Sequence, residues 1–149
     1  MYRRILVPVD GSRTATLGLR EAIRLAKAGR AKAKVRLVHV VDEHGIIGVV
    51  EVGADIASLM RAVVRGGRGI LDRSQALAKK LGVDAEKTLR ESVAGRAADE
   101  ILAEARKWRP DLIVMGTHGR RGVSRLVLGS NAELVARLAN VPVLLVRGR

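Results

Sequence analysis

The chain has 149 residues, with 28 Lys and Arg against 15 Asp and Glu, so its formal net charge is +13. It has no Cys, no Phe, one Tyr and one Trp. That composition excludes a disulfide framework, a thiolate metal site and a Cys nucleophile, and it requires an aliphatic core.

In chain order, Ile5-Leu6-Val7-Pro8-Val9 is a short continuous apolar run, as expected of a strand buried on both faces. Asp10-Gly11-Ser12 makes a turn, with Ser12 placed to cap a helix. Ala15, Leu19, Ala22, Ile23 and Ala26 fall on one helical face, and Gly29 closes that helix. Val35 to Val41 reads as a second strand. His39 inside it is expected to be a satisfied core or edge residue rather than a catalytic one. Asp42 to Asp55 is a glycine-bearing connection. A helical pattern then runs through Met60, Val63, Val64, Ile70, Leu71, Leu77 and Leu81. Arg65-Gly66-Gly67-Arg68-Gly69 interrupts it. Glycine costs about 1 kcal/mol at a helix interior position, so a broken or late-starting helix is expected. Ala85 to Glu91 is mostly polar, as suits an edge strand. Val93, Ala97, Ala98, Ile101, Leu102, Ala105 and Trp108 give an amphipathic helix stopped by Pro110. Leu112 to Met115 is the next strand, Leu134, Val135 and Leu138 mark the last helix, and Val141 to Val146 the last strand.

Strands alternating with helices predict one α/β domain over residues 1–149, a doubly wound five-stranded parallel sheet with helices on both faces. The flavodoxin-like strand order 2-1-3-4-5, or a relative of it, is the default. Ligands of such sheets lie beyond the carboxyl ends of the strands, where the order reverses. A reversal beside strand 1 brings Asp10, Gly11 and Ser12 next to the loop after strand 4.

That loop, from Met115 to Asn131, carries Gly116, Gly119, Gly122 and Gly129. Glycines let the backbone approach an anion closely, and helix N–H groups point at it. Ser130 is expected to cap the following helix, with Glu133 completing a capping box. The spacing is neither a Walker motif nor G-x-G-x-x-G.

No segment approaches the length of a membrane span, and the N-terminus lacks a signal-peptide apolar region. A soluble, cytoplasmic protein without a membrane partner is the expectation. The positive charge draws phosphate ligands. Its scatter along the chain, with almost no aromatic platforms, favours a solvated basic surface over dedicated nucleic-acid binding.

Pro8-Val9-Asp10-Gly11-Ser12, Val38-His39-Val40, and Gly116-x2-Gly119-x9-Gly129-Ser130 together resemble the universal stress protein family, in particular its ATP-binding branch. The resemblance covers the whole chain and implies an adenine nucleotide α-hydrolase-like fold that binds ATP, or AMP or ADP, with Mg²⁺ as a possible companion. It implies a cofactor site drawn from Pro8, Asp10, Gly11 and Ser12, from Val40, and from Met115, Gly116, His118, Gly119, Arg120, Gly129, Ser130 and Asn131. Asp10 would contact the nucleoside and the Val40 main chain the adenine. Gly116, Gly119 and Gly129 would pack on ribose and phosphates, and the Ser130 hydroxyl and Asn131 N–H would bind phosphate. The resemblance also implies a homodimer through antiparallel pairing of Val141 to Val146. No catalytic set and no metal-ligand set emerges: Ser12, His118 and Asp10 form a triad only on paper. The function so implied is a homodimeric stress-response sensor or switch. A basic interaction module for nucleic acid or protein is the alternative, and a slow ATPase a further one.

Overall fold

The computed structural model describes residues 2–29, 32–42, 55–92, 95–117 and 128–148. Nine elements alternate along it: β1 (Arg4–Pro8), α1 (Arg13–Lys27), β2 (Lys34–Asp42), α2 (Ile56–Lys80), β3 (Ala85–Ser92), α3 (Ala97–Trp108), β4 (Leu112–Gly116), α4 (Ser130–Leu138) and β5 (Val143–Val146). All four strand pairings are parallel, in the order β3-β2-β1-β4-β5.

This order is a relative of the default 2-1-3-4-5, and it differs in the place of one strand. β3 lies outside β2 rather than beside β1. The side chains explain the choice. Ile5, Leu6 and Val7 of β1 are wholly buried and occupy the sheet centre. β3 exposes Glu86, Lys87 and Glu91, which only an edge position tolerates. The chain builds outward from β1 to β3 and then returns to the other side of β1, so the reversal falls between β1 and β4.

Among the described residues, each face of the sheet carries two helices. Leu19, Ala22 and Ile23 of α1 and Ile70, Leu71 and Ala78 of α2 pack on Ile5, Val7, Val35, Leu37 and Val114. Ala98, Ile101, Leu102 and Trp108 of α3 and Ala132, Leu134 and Val135 of α4 pack on Leu6, Val38, Ile113 and Met115. Ile5 and Val7 therefore face one layer and Leu6 the other, the period-two alternation of a strand covered on both sides. Burying each such side chain contributes roughly 1.5–3 kcal/mol, which is how a core almost free of aromatics holds together.

Ser12 caps α1 as expected, its Oγ accepting from the Ala15 N–H at 3.1 Å. The helix ends at Lys27 with Ala28 as cap, so Gly29 lies just beyond it. α2 corrects the expectation of a break, for it runs unbroken over 25 residues through the glycine tract. The reason is tertiary. A Cβ on Gly67 would stand 2.8 Å from His39 Cδ2, 3.0 Å from Val41 and 3.1 Å from Leu89. The glycine lets α2 settle close on β2 and β3, and that packing offsets the helix-propensity cost.

Two further corrections concern termini. The cap of α4 is Gly129, with the Glu133 N–H donating to the Gly129 carbonyl at 2.9 Å; Ser130 is already inside the helix and no Ser130–Glu133 capping box forms. β5 begins at Val143, not Val141, because Pro142 has no N–H to enter the ladder; its carbonyl instead accepts from Ile113. Val93, expected to open α3, lies outside the described residues, and the helix begins at Ala97.

Candidate functional site

A cavity of about 630 Å³ opens at the carboxyl ends of β1, β2 and β4. Its size falls within the roughly 300–1,000 Å³ range of small-molecule sites. The sheet order dictates its shape. On the β2 side it is walled by Val38, Val41 and, from α2, Val63, Gly66, Gly67 and Ile70. On the β4 side it is walled by Met115, Gly116, Thr117 and the start of α4, with Ala97 and Ile101 of α3 closing the back. One end is therefore mostly aliphatic, with His39 and Asp42 also in its lining, and the other is a helix N-terminus.

That helix N-terminus is set up for an anion. α4 starts at the cavity with Gly129, Ser130 and Asn131 in the wall. Its cap is a glycine, which has no side chain to bond the first turn. Its leading N–H groups and the positive end of its dipole thus face the space. The start of α4 is pinned to the sheet. Gly129 N–H donates to the Thr117 carbonyl at 2.8 Å, and Thr117 N–H donates to the Val146 carbonyl of β5 at 3.0 Å.

The start of α1 closes the floor. Gly11 adopts a positive φ of 80°, and the Ser12 N–H donates to Asp10 Oδ1 at 2.8 Å, which folds the turn after β1. His39 is buried, and its Nδ1 lies 2.7 Å from the Val9 carbonyl. A carbonyl can only accept, so Nδ1 carries the proton. His39 is thus a held core residue whose ring also borders the cavity.

Of the residues singled out from the sequence, the fold brings Pro8, Asp10, Val40, Met115, Gly116, Gly129, Ser130 and Asn131 into the lining of one cavity. Gly11 and Ser12 shape the turn but are not part of the lining. His118, Gly119 and Arg120, with Gly122, lie outside the described residues. Gly116 has a second reason to be glycine: a Cβ there would stand 2.6 Å from the Thr14 carbonyl carbon and 2.8 Å from the Ala15 nitrogen. The bare position lets the N-terminus of α1 reach β4. Among the described residues no group of three or more His, Asp or Glu could hold a metal ion.

With this geometry in place, comparison with known proteins is direct. Residues 1–147 match the universal stress protein family. The chain belongs to that family. It is 36% identical over 149 residues to Universal stress protein MJ0531 of Methanocaldococcus jannaschii, covering 99% of this chain and 83% of the relative. The solved structure of MJ0577 from the same archaeon aligns with a TM-score of 0.83 at 28% identity, covering 100% of this chain and 98% of that one. The universal stress protein of Archaeoglobus fulgidus solved in complex with dAMP aligns with a TM-score of 0.68 at 25% identity, covering 97% and 98%.

Several wall residues of this universal stress protein escaped the sequence reading. Thr117 follows Gly116 directly, so its hydroxyl at a strand end was the available signal; the structure buries it. Val63, Gly66, Gly67 and Ile70 come from the middle of α2, and Ala97 and Ile101 from α3. No local motif marks them, because only the packing of those helices on the sheet brings them to the cavity.

Proposed function

We propose that this universal stress protein binds an adenine nucleotide, ATP or its relatives AMP and ADP, in the cavity at the β1–β4 reversal, and works as a homodimeric regulatory switch in a stress response. The observation that carries the reading is the start of α4: a glycine-capped helix with no side-chain cap, opening into a cavity whose other end is mostly aliphatic. That arrangement suits a ligand with a flat apolar base and an anionic tail. The Archaeoglobus relative with bound dAMP supports the same ligand class. The net charge of +13 raises the local concentration of any such anion.

In this reading Ser130 and the Asn131 N–H meet the phosphates, Asp10 the ribose, and the Val40 main chain the base. Mg²⁺, if it takes part, arrives with ATP and is held chiefly by the phosphates. The homodimer forms through the outer edge of β5, which pairs with β4 on its inner side. A ligand that stiffens the start of α4 is felt there, since Thr117 bonds both Gly129 and Val146. Residence in the cytoplasm accords with this role, and among the described residues no helix is long and apolar enough to cross a membrane.

Isothermal titration with ATP and AMP tests the reading. Saturable heat and a rise in melting temperature support it; no heat and no thermal shift at millimolar ligand reject it. Stabilisation of about 2.7 kcal/mol is expected at a hundredfold excess over Kd. Turnover of ATP no faster than background, with or without Mg²⁺, would exclude the slow-ATPase alternative. The charge also favours a second reading, a basic module for nucleic acid or an acidic protein, which predicts binding with a steep salt dependence.

A further inference from the structure

We propose that Gly66 is a specificity-determining position: its missing side chain keeps the α2 wall of the cavity open for the base of the bound nucleotide. The inference rests on the nucleotide-binding reading and adds a residue to it. Three glycines in the middle of α2 separate by what surrounds them. Gly67 is required by packing, since its Cβ would collide with His39, Val41 and Leu89. Gly69 would only nudge the far end of the Arg73 side chain, at 3.3 Å, and it is not part of the cavity. Gly66 lines the cavity, and among the described residues a Cβ there would meet nothing within 4 Å.

No described neighbour therefore requires glycine at position 66, and helix propensity disfavours it. The space it leaves lies beside Val41, Val63 and Ile70, on the aliphatic side of the cavity. The start of α4 lies on the opposite side, across β1. A nucleotide with its phosphates at Ser130 and Asn131 has its base directed toward the α2 wall. A branched side chain at position 66 would enter the mouth of that space and exclude the ring.

The test compares Gly66→Ala, Gly66→Leu and Gly69→Leu with the wild-type chain, by ligand-free thermal unfolding and by titration with AMP. Gly66→Ala should raise the melting temperature by about 2–4 °C, as a helix-interior glycine replaced without a clash does. Gly66→Leu should fold and lose AMP affinity at least about tenfold, the low end for one misfitted aliphatic group in an apolar pocket. Gly69→Leu should fold and bind as wild type. Wild-type affinity in Gly66→Leu, equal losses in both Leu variants, or a lower melting temperature in Gly66→Ala would overturn the proposal while leaving nucleotide binding in place. A wild-type chain that takes up no AMP would instead remove the nucleotide reading, and this inference with it.

Discussion

The side-chain Oδ1 of Asn131, in the first turn of α4, accepts a hydrogen bond from the backbone N–H of Ala98, in the first turn of α3, at 3.2 Å. One helix thus satisfies an N–H of the other's first turn, where Asp99 already accepts from the Arg96 N–H at 3.0 Å, and the two N-termini are tied together at the back of the cavity. Asn131 has two separate jobs in this account: its carboxamide serves α3, while its own N–H faces the ligand space.

Asn131→Val separates those jobs. Losing the acceptor for Ala98 should cost about 1 kcal/mol, as loss of a helix cap does, or a fall in melting temperature of about 2–4 °C. AMP affinity should change little, because the backbone N–H remains. Asn131→Asp should keep the acceptor yet weaken binding, more for ATP than for AMP, since it sets a negative charge beside the phosphates. Thermal unfolding and calorimetric titration of the two variants check both halves.

Gly116→Ala should destabilise the ligand-free protein by at least about 1–3 kcal/mol, the usual cost of overpacking. The new methyl would press on the backbone of Thr14 and Ala15, which cannot swing aside. Urea denaturation without nucleotide measures this. A variant as stable as wild type would mean that α1 is not held so close to β4.

Glu104 is a carboxylate with 1% of its side chain exposed, on the inward face of α3. It accepts from Arg36 at 2.8 Å and lies 3.4 Å from Arg90. Arg36 also stacks over Trp108, 4.8 Å from the ring centre, with Arg4 at 4.6 Å. Glu104→Ala should cost about 3 kcal/mol, the low end for breaking a buried pair, because Glu86 and Glu100 still partner the two arginines. Glu104→Leu, which refills the volume, should cost less. The two unfolding midpoints, compared, separate lost packing from stranded charge.

Acid should weaken the fold in a defined window. Hydrogen bonding to the Arg36 guanidinium holds the Glu86 carboxyl below its ordinary value of 4.5, and Arg24 does the same for Glu21. A carboxylate whose folded value is depressed contributes stability that is complete above the unfolded value and is lost as pH falls through the folded one. Unfolding midpoints should therefore drop below pH 4.5. Glu86→Gln should flatten that drop without changing the slope between about pH 6 and 8. The effect is modest, since half of the Glu86 side chain is exposed and salt screens it.

Much of this was legible in the sequence, because it was written locally. Ile5 to Val9 and Leu112 to Met115 announce strands covered on both sides, and Ser12 announces its helix. What stayed hidden is tertiary. Nothing near Gly67 says that α2 continues, because the reason lies in His39, Val41 and Leu89. Gly129 and Ser130 compete for the cap of α4 by a single residue, and the bond from Gly129 to Thr117 goes with the glycine cap. Glu104 sits at a helical spacing that reads as polar, and only Arg36 and Arg90, from two other strands, make its burial tolerable. The glycine signature pointed at the cavity, yet Gly116 is also explained by α1, and the α2 wall has no signature at all.

The most direct measurement of the central claim is an AMP titration of ¹⁵N-labelled protein followed by amide chemical shifts. The account predicts that the largest saturable shifts fall on the amides of Ser130, Asn131 and Ala132 at the start of α4, accompanied by Val40 and Asp10 across the cavity. Shifts confined to other surfaces, or an α4 N-terminus that stays unmoved while AMP binds, would contradict it.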